Sequence, residues 1–188
     1  MHGLINRAIE EFARVTYGDA LWTASASAAG ADPRGFVIMR HYETSLTGRL
    51  MGELSQRLGQ TPFDLAEDIG AWVSQIPSVR RLLRFGGSDF DGFVMALQEL
   101  HGRALMVVRG LYLPPFTVQT LSDGWRLRSD CDPMWLHAIA GMLHAMADDY
   151  GVLALVEVEG DAIVVNVPLT EFTTGRPFSL TEPSVGVA

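Results

Sequence analysis

The chain of 188 residues contains no lysine, a single cysteine and no long run of apolar residues. All 14 of its basic side chains are arginines, they form no basic run, and the formal net charge is −8. Binding to the phosphates of a nucleic acid requires clustered Lys and Arg side chains. The charge pattern therefore argues against a nucleic-acid partner.

Signals for export or membrane insertion are also missing. No stretch approaches the roughly 18 uncharged apolar residues that a membrane-spanning helix needs. The N-terminal segment reaches Glu10 and Glu11 early and lacks the long apolar core of a signal peptide. The single thiol, Cys131, cannot form a disulfide within the chain, which is typical of a reducing compartment. We therefore expect a cytoplasmic protein without a membrane span.

Motifs for enzyme chemistry are absent too: there is no glycine-rich phosphate loop, no serine nucleophile elbow and no HExxH or CxxC pattern. His137 and His144 lie on one predicted helix and could bind a metal, although a solvated helix face explains them as well. Cys131 precedes a helix N-terminus that could lower the pKa of its thiol, but no base accompanies it. We expect the chain not to be an enzyme, with catalysis by these residues as the remaining alternative.

The apolar pattern predicts an α+β fold. Hydrophobic residues make up 48% of the chain and charged residues 19%, so a sizeable core is available. Their spacing predicts six helices, at 2–17, 19–29, 42–58, 62–74, 79–85 and 89–109. Strands at 116–121 and 125–129, a helix at 133–149, and strands at 152–158 and 162–168 follow. We expect a mainly helical N-terminal lobe and an antiparallel sheet of about four strands with an inserted helix. The domain would span 1–170, with a loose tail at 171–188.

One histidine interrupts the apolar face of the predicted helix at 89–109. That face comprises Phe90, Val94, Leu97, Leu105 and Val108. His101 lies midway between Leu97 and Leu105, and its imidazole needs a partner because an unpaired buried polar group costs roughly 1–3 kcal/mol. It is either a core histidine bonded to a backbone carbonyl or an axial ligand to a metal or haem. The spacing alone leaves both interpretations open.

Four features of the sequence occur together in one known family. The chain opens with MHGLI and reaches Tyr17-Gly18 at the end of the first predicted helix. A long predicted helix carries His101 near its centre, and Leu113-Pro114-Pro115 follows it. A hairpin, a helix and a second hairpin complete the order. In these features the chain resembles the haem-NO-binding (H-NOX or HNOB) domain family, which is related to the N-terminal domain of soluble guanylate cyclase, over about residues 1–170.

The resemblance implies a haem-based gas sensor. His101 would be the proximal ligand of a b-type haem iron, with the other axial position open to NO or CO. Ile5 and Ile9 would form the distal wall, and the other residues expected around the haem are Leu97, Leu105, Pro115 and Ser129. In the family, NO binding can break the iron–histidine bond and shift two lobes, a change read by a histidine kinase or a cyclic-dinucleotide enzyme. We therefore expect a separate partner protein of one of these kinds.

The chain departs from the family where the haem propionates are held. The family uses a Tyr-x-Ser-x-Arg signature on the strand after the first hairpin turn. Alignment on the serine places Leu127 and Cys131 where the Tyr and the Arg belong. The register that keeps the following helix aligned places Ser129, Cys131 and Pro133 at the three positions. The Tyr and the Arg are missing in both registers.

Arg126 and Arg128 are the nearest substitutes. Strand alternation places both on one side and Leu127 and Ser129 on the other. The alternative function is accordingly a haem-free relative that serves as a protein-interaction or small-ligand-binding module. If haem is bound, we expect NO and CO to be preferred over O₂, because Ala138 stands near the position where O₂-binding relatives carry a tyrosine hydroxyl.

Overall fold

The computed structural model describes residues 1–178 and shows the α+β architecture that the sequence predicts. The N-terminal lobe contains α1 (Gly3–Tyr17), α2 (Asp19–Ala29), α3 (Thr44–Leu58), α4 (Pro62–Gln75) and α5 (Pro77–Arg84). Then follow α6 (Phe90–Ala96), a 3₁₀ turn (Leu97–Glu99), α7 (Leu100–Val107), β1 (Thr117–Thr120), β2 (Gly124–Arg128), α8 (Pro133–Tyr150), β3 (Leu153–Glu159) and β4 (Ala162–Leu169). No helix in this part of the chain is both long and apolar enough to cross a membrane.

The ends of α4 and α8 follow local sequence signals. Thr61 and Asp64 form a reciprocal capping box at the start of α4, whose first residue is Pro62. Asp132 caps the start of α8 through its side chain, and Gly151 ends the helix in the left-handed conformation with φ 79°. These signals are contained in a few neighbouring residues, which is why the predicted bounds of both helices agree closely with the observed ones.

The four strands form one antiparallel sheet in the order β1-β2-β4-β3. On β2, Trp125 pairs with Val165 and Leu127 pairs with Ile163, and all four side chains are buried. The sheet therefore has one face against the core, and residues at alternate positions of β2 lie on the other face.

The core consists of two clusters. One lies among α1 to α4 and contains the fully buried side chains of Trp22 and Leu65. The other lies between α6, α8 and the sheet and contains Leu127 and Leu143. α8 borders both clusters, because Ala138 on the same helix packs against the first one. This helix therefore joins the N-terminal lobe to the C-terminal lobe.

The contact between α4 and α8 is made by backbone as well as side chains. A methyl group added at Gly70 would lie 1.8 Å from the carbonyl oxygen of Ala138. One added at Gly141 would lie 1.9 Å from the carbonyl oxygen of Glu67. Since any side chain would force the helices apart, the two glycines permit the close approach that holds the lobes together.

The prediction of a single helix at 89–109 is wrong in the middle of the segment and at its end. It is divided by the 3₁₀ turn and stops at Val107. Each 3₁₀ residue turns the chain by about 120° instead of about 100°, so three of them rotate the next helix by about 60°. As a result Ala104 is buried, whereas Leu105 is 44% exposed. The buried apolar face therefore continues at Ala104 and not at the predicted Leu105.

The sequence predicts a loose tail from residue 171, whereas residues 171–178 lie along the end of α8. The backbone N–H groups of Phe172 and Thr173 donate to the Gly151 carbonyl at 2.9 and 3.0 Å. The N–H of Arg176 donates to the Asp149 carbonyl at 2.9 Å. We call residues 171–178 the C-terminal strap. Residues 179–188 of the predicted tail lie outside the described part of the chain, and the domain boundary at residue 170 stays a prediction.

Candidate functional site

His101 is held on α7 by the loop that follows the helix. The structure places its Nδ1 within hydrogen-bond distance of the Leu113 carbonyl oxygen. The ring of Tyr112 meets the imidazole edge-on, with 5.4 Å between the ring centroids. The loop at 111–116 therefore fixes the orientation of the imidazole, which is only partly buried.

This hydrogen bond determines which nitrogen of His101 can bind a ligand. A carbonyl oxygen only accepts, so in the neutral imidazole Nδ1 carries the proton and Nε2 keeps its lone pair. Histidines that ligate metals typically donate the other ring N–H to a carbonyl or carboxylate in this way. Nε2 makes no hydrogen bond with any residue of 1–178, and the ring is not enclosed by the core. The arrangement meets the requirement of a core histidine and also that of an axial ligand.

The same loop reaches the end of β2. The hydroxyl of Ser129 donates to the Pro115 carbonyl at 2.7 Å, and Ser129 is buried. Two carbonyls of one loop thus accept hydrogen bonds from His101 and from Ser129. Of the residues that the resemblance assigns to the haem, the structure therefore bonds Ser129 to Pro115 and bonds His101 to the loop that contains Pro115.

Cys131 does not have the activated thiol that its position before α8 suggests. Burial raises the pKa of the Cys131 thiol above its usual range, and the hydrogen bond with Ser129 opposes this rise only in part. The neighbouring carboxylates of Asp130 and Asp132 raise the pKa further. The hypothesis of a lowered pKa is wrong, because burial of the Cys131 thiol outweighs the hydrogen bond with Ser129 and the neighbouring carboxylates add to the rise in its pKa.

The other predicted haem-contacting residues are divided between the two clusters of the core. Ile9 is buried in the cluster among α1 to α4, and Ile5 packs against that cluster. Leu97 is buried in the cluster beneath the sheet. Leu105 belongs to neither and is 44% exposed. These four residues therefore do not form one continuous lining within the described part of the protein.

α7 leaves most of its apolar side chains uncovered. Leu105, Met106 and Val107 are all exposed, and only Ala104 of the helix is buried. At the start of the helix, Leu100 packs against the cluster beneath the sheet, and His101 contacts the loop that follows. An apolar ligand beside His101 would therefore find side chains that the protein core has not used.

The arginines of β2 are bound to carboxylates on the exposed face of the sheet. Arg126 pairs with Glu159 at 3.2 Å and Arg128 with Asp161 at 2.9 Å. Leu127 between them is fully buried on the opposite face. The predicted alternation is confirmed, and neither arginine lies on the face where the signature residues would stand.

These observations test whether the residues present fit a haem. The imidazole of His101 fits an iron ligand, since its orientation and tautomer are fixed and Nε2 keeps its lone pair. The propionate side does not fit the family pattern, because Arg126 and Arg128 are engaged elsewhere and the Ser129 hydroxyl already donates to Pro115. The described residues therefore include a histidine that fits an iron ligand, but they do not include the family's means of holding the carboxylates.

One contact near the site carries no signal in the sequence. The Nδ1 of His2 accepts a hydrogen bond from the N–H of Leu4 at 3.1 Å and so caps α1. The rings of His2 and His41 meet edge-on at 5.0 Å, and the Nε2 of His41 lies 3.4 Å from the Gly110 carbonyl oxygen. The start of α1 is thus tied to the segment just after α7. His2, His41 and Gly110 lie far from one another in the chain, so spacing could not reveal the group.

His137 and His144 do not form the metal site that their spacing allows. His137 binds the carboxylate of Glu67 through Nδ1 at 2.6 Å and stacks on Phe63 at 4.5 Å between ring centroids. His144 is exposed. Within residues 1–178 there is no group of three or more His, Cys, Asp or Glu side chains placed to hold a metal ion.

Comparison with known families identifies one match. The family model described as "Haem-NO-binding" matches residues 2–152 of the chain. A search of curated proteins finds no match.

Solved structures share the fold at low sequence identity, and 31 chains match. The H-NOX protein from S. oneidensis in the Fe(II)NO ligation state is 18% identical, with a TM-score of 0.76 over 90% of this chain and 99% of that one. A mutant H-NOX protein from K. algicida in the Fe(II) unliganded state is 15% identical, with a TM-score of 0.78 over 89% and 96%. A mutant T. tengcongensis H-NOX is 15% identical, with a TM-score of 0.75 over 90% and 99%.

Proposed function

This chain belongs to the haem-NO-binding family, and we propose that it is a haem-based sensor of NO in which His101 would hold the iron. The family is one of sensor domains that typically bind haem and diatomic gases and are not themselves catalytic. The observation that carries the proposal is the contact between His101 Nδ1 and the Leu113 carbonyl, which leaves Nε2 as the ligating atom.

The residues around His101 have distinct roles in this proposal. A bound b-type haem would supply an iron with an open coordination position for a diatomic gas. Leu113 orients the imidazole, while Pro115 and Ser129 fix the loop that carries Leu113. Leu97 and Leu105 are assigned to the apolar surroundings of His101. Ile5 and Ile9 are assigned to the side of the N-terminal lobe, which is tied to α7 through His41 and Gly110.

The assignment of His101 to the haem iron also leads to a proposal for the gas that is bound and for the signalling partner. Ala138 offers a methyl group where a hydroxyl would be needed to donate a hydrogen bond to bound O₂, so NO and CO are the ligands we propose. The output passes to a separate cytoplasmic protein, either a histidine kinase or a cyclic-dinucleotide enzyme. The contact of α4 with α8 joins the lobes and is the place where a ligand-driven shift would be transmitted.

The test is an anaerobic titration of the purified protein with reduced haem, followed by absorption spectroscopy with and without NO. We expect a saturable one-to-one Soret band that shifts with NO. The band should be lost in His101→Ala and kept in the matched control His144→Ala, which removes an exposed imidazole from α8. A specific band of equal strength in His101→Ala would show that another group binds the iron.

A second candidate is the haem-free interaction or small-ligand-binding module. The observation that favours it is the engagement of Arg126 and Arg128 by Glu159 and Asp161, which leaves neither of them for the propionates. The same titration separates the two candidates. A folded wild-type protein that binds haem no better than His101→Ala would assign His101 to a structural role and support the module.

A further inference from the structure

The two edges of the sheet differ in length and composition. β1 forms one edge with four residues, Thr-Val-Gln-Thr, of which three are exposed. β3 forms the other edge with seven residues, Leu153–Glu159, of which four are Leu or Val. An edge strand presents unpaired backbone N–H and C=O groups, and natural proteins protect such edges by short length, charged side chains, Pro or a cover. β1 is protected by its length, whereas β3 is long.

The backbone of β3 is open on its outer side. The strand contains no Lys, Pro or Gly. The register of the β3–β4 pair is irregular between Leu153 and Leu155 and regular from Leu155 to Glu159. α8 packs against one face of the strand, and within residues 1–178 no backbone hydrogen bond outside the sheet involves residues 153–159. The outward N–H and C=O groups of this segment are therefore available to another strand.

The core beneath the sheet is incomplete at β3. The neighbouring strand β4 is buried from Ala162 to Val165, whereas no residue of β3 is buried. Val156 and Val158 pack against the cluster that contains Leu127, yet both are only half-buried. Because they lie on the core face, their exposure comes from the open edge and not from the outer face of the sheet. A further strand beside β3 would bury more of these two valines, which favours its binding.

The outer face along this edge is acidic and partly apolar. Leu155 is 56% exposed, and Glu157 follows it on the same face. Glu159 binds Arg126 at 3.2 Å, whereas Glu157 forms no ion pair with any residue of 1–178. Charged side chains on an edge strand repel a partner of the same sign. A second copy of this chain, with its net charge of −8, would bring the same carboxylates to the edge, whereas a basic segment would neutralise them.

We propose that β3 binds an extended segment of another protein in which basic and apolar residues alternate, so that the segment adds a fifth strand to the four-stranded sheet. The backbone of the segment pairs with the outward groups of β3. Its basic side chains lie beside Glu157 on the outer face, and its apolar side chains cover Val156 and Val158 on the core face. This surface is separate from His101, which contacts the loop at 111–116, so the interaction does not require haem.

The test uses the full chain and isothermal titration calorimetry with three synthetic nine-residue peptides. The first alternates Lys and Val, the second keeps the lysines but replaces the central valines with Pro, and the third alternates Glu and Val. We expect saturable one-to-one binding of the Lys–Val peptide. Binding should be at least tenfold weaker for the Pro peptide, which keeps the charge but loses N–H donors, and for the Glu–Val peptide. Hydrogen exchange measured by NMR should show the outward amides of residues 153–159 protected by the Lys–Val peptide.

A charge reversal on β3 locates the binding. Glu157→Lys should weaken binding of the Lys–Val peptide about fivefold or more and strengthen binding of the Glu–Val peptide, with circular dichroism confirming the fold. The matched control is Glu53→Lys on α3, which changes the net charge equally and removes a partly exposed carboxylate that pairs with Arg57.

Four results would overturn the proposal. The Lys–Val peptide could fail to bind, or the Pro peptide could bind as tightly, which would indicate attraction by charge alone. Glu53→Lys could weaken binding as much as Glu157→Lys, which would place the peptide elsewhere. The outward amides of residues 153–159 could already be protected in the free protein. Sedimentation would then distinguish a second copy, which gives a dimer, from the chain's own residues 179–188, which leave a monomer.

Discussion

α7 and α8 belong to the same half of the chain, yet they use their apolar residues in opposite ways. α8 buries nine residues and contributes to both clusters of the core, whereas α7 buries only Ala104. The two sequences do not predict this contrast, because both helices contain histidine among Leu, Met and Ala residues. The difference lies in what surrounds each helix: α8 is enclosed by α4, α6 and the sheet, whereas α7 has Leu100 against the core and His101 against the loop that follows.

The contrast between α7 and α8 indicates which of the two helices contributes more to the stability of the fold. Burial of apolar surface stabilises the fold where α8 lies, and little of that stabilisation comes from α7. A helix that the core does not hold can be held by a ligand or a partner, and its equilibrium can respond to that ligand. His101, for which we propose the role of iron ligand, is on the weakly packed helix.

Truncation of one leucine on each helix gives the largest expected difference. Leu143→Ala on α8 removes a fully buried side chain and should lower the free energy of unfolding by about 2–5 kcal/mol. The matched variant Leu105→Ala on α7 removes an exposed side chain and should change it by less than about 0.5 kcal/mol in the haem-free protein. Urea denaturation followed by circular dichroism measures both. Equal losses would show that α7 is part of the core after all.

A smaller but sharper test uses the glycine of α8 that faces α4. Gly141→Ala would place a methyl group 1.9 Å from the Glu67 carbonyl oxygen, so the helices must separate. We expect a loss of about 1–3 kcal/mol in the free energy of unfolding, although alanine is the better helix former. Urea denaturation again gives the value. An unchanged midpoint would mean that the α4–α8 contact is looser than the structure shows.

The parts of the fold that the sequence predicts are those with local signals. Asp132, Pro133 and Gly151 mark the two ends of α8 within a few residues of each, and alternation on β2 predicts the outward direction of Arg126. The 3₁₀ turn at 97–99 contains neither Gly nor Pro, so nothing in its composition marks the break. It could not be predicted because the burial of Leu97 beneath the sheet is a tertiary contact.

Prediction of the candidate site from the sequence is limited in the same way, because tertiary contacts are not visible in it. His101 could be singled out because a lone imidazole in an apolar pattern is unusual, but its bond to Leu113 depends on how the loop turns back after α7. The Pro, Gly and Thr content of the C-terminal strap predicts a loose segment. It is held by backbone bonds to Gly151 and Asp149, which side-chain composition does not encode.

The smallest expected effect comes from the glycine of α7 next to His101. A methyl group at Gly102 would meet no atom within 4 Å, in contrast to Gly141. Gly102→Ala should therefore raise the free energy of unfolding by up to about 1 kcal/mol, the difference in helix propensity between the two residues. The measurement is urea denaturation of the haem-free protein beside Gly141→Ala, where the same chemical change should have the opposite sign. A loss of stability in Gly102→Ala would mean that this face of α7 packs against the protein, and α7 would then resemble α8.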